Sequence, residues 1–243
     1  LEPPPRVNKR GECLRRVSES AASAMTKISD QVIIETLYPY YSITSTQLCD
    51  EIRCYIDLLL RWNARLSLTT ITDPLDILRF HFGESLFAVD IVPIRHGRLA
   101  DVGSGAGFPA IPISMVNAGI SMTLLEANQK KRVFLSEVCR SLDLVNVEVF
   151  PGRMQDLNST GGYFGAITSR AFKVGEELLH WSSQQLCHSG LLILWTSASE
   201  AEKIALEHRW LWKDPIPVPE SNRRVILIGS EDVTFNHVPR GTT

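Results

Sequence analysis

Residues Leu99 to Met115 read LADVGSGAGFPAIPISM: an apolar run that closes on Asp101, glycines at alternate positions (Gly103, Gly105, Gly107), then apolar residues again. Glycine at the end of a strand lets a ligand approach bare backbone N–H groups, and open parallel sheets bind ligands at the carboxyl ends of their strands. A dinucleotide turn reads G-x-G-x-x-G. Counted from Gly103, the third glycine's place is held by Phe108, which argues against a pyrophosphate. A second acid, Glu126, closes the next apolar run, MTLLE. Alone it decides little, since dinucleotide folds also place an acid about 20 residues on. Cations gather at the same ends: Lys130, Lys131 and Arg132 after Glu126, Arg153 after the third run, Arg170 and Lys173 after the fourth. A rim of this kind is what a polyanion such as RNA requires, with Arg61, Arg65, Arg95 and Arg98 extending it from upstream. The plainer alternatives are a tight turn for the glycines and a solvated helix end for Lys130 to Arg132.

These groups need a scaffold, and the chain's rhythm supplies one. From 45 to 68, apolar residues recur at Leu48, Ile52, Tyr55, Ile56, Leu59 and Leu60, the spacing of one helix face. Asp73-Pro74 reads as an N-cap with proline at the first helical position, opening a second helix. After Leu99, short apolar runs (LADV, MTLLE, VEVF, AITS, LLILW) alternate with helical stretches at 130–142 and 174–187. Alternation of this kind implies right-handed crossovers and a mainly parallel sheet covered on both faces. WLWKDPIPVP and RRVILIGS read as antiparallel edge strands. The expected organisation is a loose arm over 1–27, a helical N-terminal cap over 28–98, and an α/β domain over 99–243, cap and core forming one unit. With 243 residues, a net charge of −2 and 44% hydrophobic residues, binding to nucleic acid by bulk charge is excluded, so an anionic partner must be met by a local patch. Five scattered cysteines without a C-x-x-C pair predict neither a disulfide frame nor a zinc site. No apolar run approaches the ~20 residues that cross a bilayer, so no membrane role and a cytoplasmic location are expected.

The pattern D-x-G-x-G-x-G from Asp101 resembles motif I of the S-adenosylmethionine-dependent methyltransferases. That resemblance implies the class I, Rossmann-like fold with a seven-stranded, mainly parallel sheet. It also implies S-adenosyl-L-methionine as cofactor, with Asp101, Gly103 and Gly105 under its amino-acid end and Glu126 accepting from both ribose hydroxyls. The longer stretch DVGSGAGFPAIPISM, together with LLRWNARLSLTTITDPLDILRFHFGESL, LLEANQKKRVFLSEV, GRMQDL and ITSRAF in the same order, resembles the glucose-inhibited division protein B family of bacterial 16S rRNA guanine-N7 methyltransferases. Over roughly 45 to 195 that resemblance places the cofactor site on Gly103, Phe108, Met154, Gln155 and Arg170. Gln155 stands where the family has an acid, and the ending VPRGTT keeps only an echo of the family's basic Pro-Gly-Thr-Pro tail.

Methylating N7 of guanine needs orientation more than proton removal, because the attacking lone pair is available at neutral pH. In agreement, no cysteine follows a proline, and the fourth run leads into SRAF rather than an Asn/Asp-Pro-Pro-aromatic motif. No acid, base, nucleophile or metal ligand is therefore assigned. His81, Asn63, Thr69 and Asp73 are expected to serve as buried partners and caps, and the tryptophans as packing. The expected partner is 16S rRNA or the small ribosomal subunit, with Lys130, Lys131, Arg132 and Arg153 in contact with RNA and the protein acting as a monomer. On the residues alone, a dinucleotide-dependent oxidoreductase and a non-catalytic cofactor-binding protein stay open.

Overall fold

In the computed structural model, residues 28–42, 45–92, 97–157, 162–170, 174–207, 209–221 and 223–231 are described. The arm at 1–27, Arg95, Lys173 and the VPRGTT ending lie outside them. Side-chain caps start the N-terminal helices. Ser29 accepts from the Val32 amide at the head of α1 (Asp30–Leu37), and Asp73 accepts from the Leu75 and Asp76 amides at the head of α3 (Pro74–Ile77). Between them α2 (Thr46–Leu66) buries Ile52, Tyr55, Ile56 and Leu59 of the expected face, leaves Leu48 and Leu60 half-buried at its margins, adds Cys49, and stops at Ser67 with a left-handed φ of 49°. The helix that begins at Asp73 carries a feature its apolar spacing does not disclose. α3 runs into a π-helical turn (Leu78–Gly83) and then α4 (Glu84–Ile91). A widened turn shifts the helix face, and six consecutive residues, His81 to Leu86, are all buried. Gly83 is needed there because a Cβ would lie 2.8 Å from the Tyr40 ring.

The sheet follows the expected rhythm: β1 (Gly97–Val102), β2 (Ile120–Leu125), β3 (Val147–Phe150), β4 (Phe164–Arg170) and β5 (Leu186–Ser197), paired in parallel. β6 (Trp210–Trp212), β7 (Ile216–Pro217) and β8 (Arg224–Glu231) complete it in the order β3-β2-β1-β4-β5-β8-β6, with β7 also on β8. Seven positions therefore hold eight strands, since β6 and β7 share the outer one. β8 is not the edge strand expected of RRVILIGS. It lies inside, antiparallel to β5 on one side and to β6 and β7 on the other, and its run Val225 to Gly229 is buried throughout. An uninterrupted apolar run is the mark of an interior strand.

Helices α5 (Ala110–Val116), α6 (Gln129–Ser141), α7 (Glu176–Gln185) and α8 (Ala198–Ile204) cover the two faces. Alternate residues of β1 separate two cores. Leu99 joins Ile33, Tyr55, Phe82 and Phe134 on one face, so the N-terminal helices share a core with the sheet; Ala100 joins Ile167, Leu178 and Leu192 on the other. Burial of each large side chain contributes about 1.5–3 kcal/mol, which holds the helical segment against the strand ends. Because strand order reverses at β1, the carboxyl ends of β1 and β4 flank a crevice. Arg98 does not extend the expected cationic rim. It sits at the amino end of β1, its guanidinium 4.2 Å from the centre of the Tyr163 ring, on the opposite edge of the sheet.

Candidate active site

A cleft of about 840 Å³ opens over the carboxyl ends of the strands, within the range of cofactor and substrate sites. Its floor is the glycine loop. Gly103, Gly105 and Gly107 all have positive φ (74°, 57° and 88°), so the alternating glycines reflect backbone a Cβ would strain. The Gly103 amide donates to the Leu125 carbonyl at 2.9 Å, tying the loop to the end of β2. From beneath, the Tyr55 hydroxyl donates to the Ala106 carbonyl at 2.5 Å and the Tyr55 ring stacks on Phe108 at 5.0 Å. The helical segment thus buttresses the loop directly.

Along the sheet the groups fall in strand order. After β3, Met154 and Gln155 lie in a short 3-10 turn, Met154 buried and Gln155 exposed, both lining the cleft. The Gln155 amide nitrogen donates to Glu177, and among the described residues its carbonyl oxygen is left as an acceptor. After β2, Glu126 accepts from the Gly105 amide at 2.9 Å and the Asn128 amide at 2.7 Å, one on each oxygen, which fixes the carboxylate while each oxygen keeps a lone pair. After β4 comes Arg170. Its Nη2 lies 2.6 Å from His81 Nδ1, its Nη1 lies 3.4 Å from Glu84, and its guanidinium lies 5.9 Å from the Phe108 ring centre.

Electrostatics follow from burial. Desolvation, then the neighbouring Arg170 cation, lowers His81 to about 3, so the ring is neutral. Burial also lowers Arg170 to about 10, against the attraction of Glu84. Burial raises the Glu84 carboxyl, against the attraction of Arg170 and of Arg224, whose Nε lies 3.3 Å away. The tryptophan indole of Trp195 donates to the Glu84 carbonyl at 2.8 Å, pinning that helix turn to β5.

Of the residues singled out from the sequence, Gly103, Gly105, Phe108, Glu126, Lys131, Arg153, Met154, Gln155 and Arg170 line one cleft. Lys130 is exposed at the head of α6, while Arg132 turns its Nη1 back onto the Glu126 and Ala127 carbonyls at 3.0 and 2.6 Å. Asp101 does not line the cleft. It lies under the loop, 1% exposed, with Oδ1 accepting from the Thr168 hydroxyl at 2.7 Å and Oδ2 without a partner among the described residues. His81 and Thr69, expected as structural partners, do bond to one another but also face the cleft. Glu84, Arg224 and the loop around Thr69 were not assigned to the site from the sequence; the one available signal was an acid inside the apolar run FHFGESLFAV.

Burial raises the Asp101 carboxyl to about 6, outweighing the hydrogen bond from the Thr168 hydroxyl and the attraction of Arg170, both of which lower it. The folded state then holds this proton more tightly than the unfolded one. The stability this gives is complete below the ordinary carboxylate value near 3.8 and is lost as pH rises through about 6. Asp101→Asn, which mimics the protonated form, should gain on the wild type by about 2 kcal/mol between pH 4.5 and 7.5 in denaturant unfolding. A difference that stays flat across that range would place the carboxyl at an ordinary value.

A parallel sheet with this strand order, a glycine loop after β1 and an acid after β2 defines a class I S-adenosylmethionine-dependent methyltransferase fold. Solved structures agree on the fold. A SAM dependent methyltransferase from Aquifex aeolicus covers 67% of this chain and 96% of its own at a TM-score of 0.56 and 15% identity. A putative S-adenosyl-L-methionine-dependent methyltransferase from Methanococcus maripaludis covers 79% and 96% at 0.53 and 11%. The family model described as rRNA small subunit methyltransferase G matches residues 48–217, and the chain belongs to that family. Curated relatives of the name Ribosomal RNA small subunit methyltransferase G include those of Xylella fastidiosa, 35% identical over 72% of this chain and 83% of the relative, and Chloroflexus aggregans, 28% identical over 89% and 96%. The match to the Alkaliphilus oremlandii relative, at 38% identity, spans 50% of this chain and about half (51%) of that protein.

Proposed function

We propose that the chain transfers a methyl group from S-adenosyl-L-methionine to N7 of a guanine in bacterial 16S ribosomal RNA. The observation that carries this reading is the order of groups along the sheet: Met154 and Gln155 at β3, Glu126 at β2, the glycine loop at β1, and Arg170 with His81 at β4. Strands lie about 4.8 Å apart, so these stations span about 14 Å. The residues fit the cofactor: an amide oxygen at Gln155 for the adenine amino group, a pre-set carboxylate at Glu126 for two ribose hydroxyls, and bare backbone at Gly103 and Gly105 for the amino-acid end. When bound, the cofactor supplies an electrophilic methyl on a sulfonium.

The chain's own residues orient and exclude. His81 is neutral and hydrogen-bonded on both nitrogens, so it is not assigned as a base, and none is needed for a lone pair that carries no proton. Arg170 fixes the wall beside the target position. Lys130, Lys131 and Arg153 meet RNA phosphates around the mouth, while Arg132 braces the turn that carries Glu126. We read residues 28–98 as a helical cap on a methyltransferase domain over 99–243, and the protein as a cytoplasmic monomer. Among the described residues, no helix is long and apolar enough to cross a membrane.

The test is to incubate the protein and labelled cofactor with small ribosomal subunits from a strain lacking the enzyme, then to map the modified nucleotide. Label at an N7-methylguanine is expected; label on protein, on a small molecule or at another base atom would falsify the reading. Three phosphate contacts predict a log-log salt slope of about −2 to −3, so activity at subsaturating RNA should fall about 15- to 60-fold between 50 and 200 mM salt. A salt-insensitive rate would remove the three cations from the interface.

A further inference from the structure

Hydrogen-bond polarity along one wall of the cleft is fixed by its innermost member. A guanidinium donates and never accepts, so His81 Nδ1, 2.6 Å from Arg170 Nη2, must accept. The proton of the neutral ring is therefore on Nε2, which donates to the Thr69 hydroxyl oxygen at 2.8 Å. The Ile71 amide donates to the same oxygen at 3.0 Å. Both lone pairs of that oxygen are now engaged, so its own hydrogen can only donate. Among the described residues it has no acceptor. Thr69 itself is rigidly placed, its amide donating to Asn63 Oδ1 and its carbonyl accepting from Asn63 Nδ2, both at 2.9 Å. It lines the cleft together with His81 and Arg170.

We propose that the Thr69 hydroxyl is a specificity-determining donor that reads O6 of the target guanine. This rests on the guanine-N7 reading above. The N7 edge of guanine offers two acceptors, N7 and O6, whereas adenine replaces the second with an amino donor. A hydroxyl able only to donate is satisfied by guanine and confronted by a like donor in adenine. Because His81 titrates near 3, the relay from Arg170 through His81 to Thr69 keeps its direction throughout the neutral range. Unlike a free hydroxyl, which rotates to suit either partner, this one is committed before the base arrives.

The test compares target guanine with 2-aminopurine, which keeps N7 but lacks O6, placed at the mapped nucleotide in reconstituted small subunits. Wild type should methylate 2-aminopurine about 10- to 100-fold more slowly, the discrimination expected of one good hydrogen bond at a buried site. Thr69→Val should lose that factor on guanine and treat both bases alike, while Thr69→Ser should restore the difference. Cofactor affinity of each variant, by calorimetry, shows that the site is intact. Thr69→Val discriminating as wild type does, or wild type accepting both bases equally, overturns the inference; the second measurement needs no variant. Wild-type label at an atom other than guanine N7 sinks the functional reading and this inference with it, whereas label on N7 with undiminished discrimination in Thr69→Val sinks this inference alone.

Discussion

Gly107→Ala should lower stability by about 2–5 kcal/mol, and Gly105→Ala, two residues away in the same loop, by only about 1–2 kcal/mol. Both glycines have positive φ, 88° and 57°, so each alanine carries the left-handed backbone penalty of about 1–2 kcal/mol. Their surroundings differ. A Cβ on Gly107 would overlap the Tyr55 hydroxyl and come within 2.6 Å of Ile111 Cδ1, whereas on Gly105 it would meet only the Gly103 carbonyl oxygen, at 3.6 Å. Tyr55 cannot step aside: it is fully buried, bonded to the Ala106 carbonyl and stacked between Phe108 and the edge of Phe82. Overpacking a rigid site adds about 1–3 kcal/mol to the backbone term. Thermal unfolding should therefore show a drop on the order of 10 °C for Gly107→Ala and a few degrees for Gly105→Ala. Calorimetry should invert the interest. Gly105 lines the cleft, so its alanine variant stays folded and loses cofactor affinity. Equal melting temperatures would show that Tyr55 does not clamp the loop.

That clamp also marks how far the sequence could be read. Alternation of apolar runs with helical spacing disclosed β1 to β5, α2, α6 and α7 because each signal is local: a buried parallel strand is apolar along its length, and a surface helix repeats every three or four residues. Glu126 was legible for the same reason, being the polar residue that ends an apolar run. Tyr55 was legible only as one more residue on a helix face. Its hydroxyl meets the glycine loop across 51 positions of sequence, a pairing that no periodicity encodes. The π-helical turn left no local mark either, since Leu78 to Gly83 reads as an ordinary continuation of the helix, yet it is what turns both His81 and Glu84 inward. Asp101 was readable as the end of a strand but not as a carboxyl shielded from the cleft by the loop that follows it. RRVILIGS reads as an edge strand, yet its unbroken apolar run Val225 to Ile228 is what an interior strand requires, and β8 lies between β5 and β6.

The π-helical turn leads to the variant with the largest expected loss of activity, Arg170→Met. Arg170 lies between two groups that the turn delivers, Nη2 on His81 at 2.6 Å and Nη1 near Glu84 at 3.4 Å, with its side chain 8% exposed. Removing the cation leaves Glu84, 1% exposed, facing Arg224 alone, and breaking such a buried pair from one side destabilises by about 3–5 kcal/mol. It also frees His81 to carry its proton on Nδ1 and accept from Thr69, reversing the direction of the wall's hydrogen bonds. Activity should fall about 100-fold or more, as when one preorganised donor is lost from a site. Arg170→Lys should recover little of it, because a single ammonium cannot hold His81 and Glu84 in the fork geometry of a guanidinium. Stability and activity separate in the double variant Arg170→Met with Glu84→Leu. Replacing both members of a buried pair with apolar groups is close to neutral for folding, and Arg224, being partly exposed, returns to solvent. The double variant should therefore melt within a few degrees of wild type and still be about 100-fold slower on small subunits. Recovery of activity along with stability would mean that Arg170 serves only to neutralise Glu84, and that the β4 end of the cleft needs no cation beside the target base.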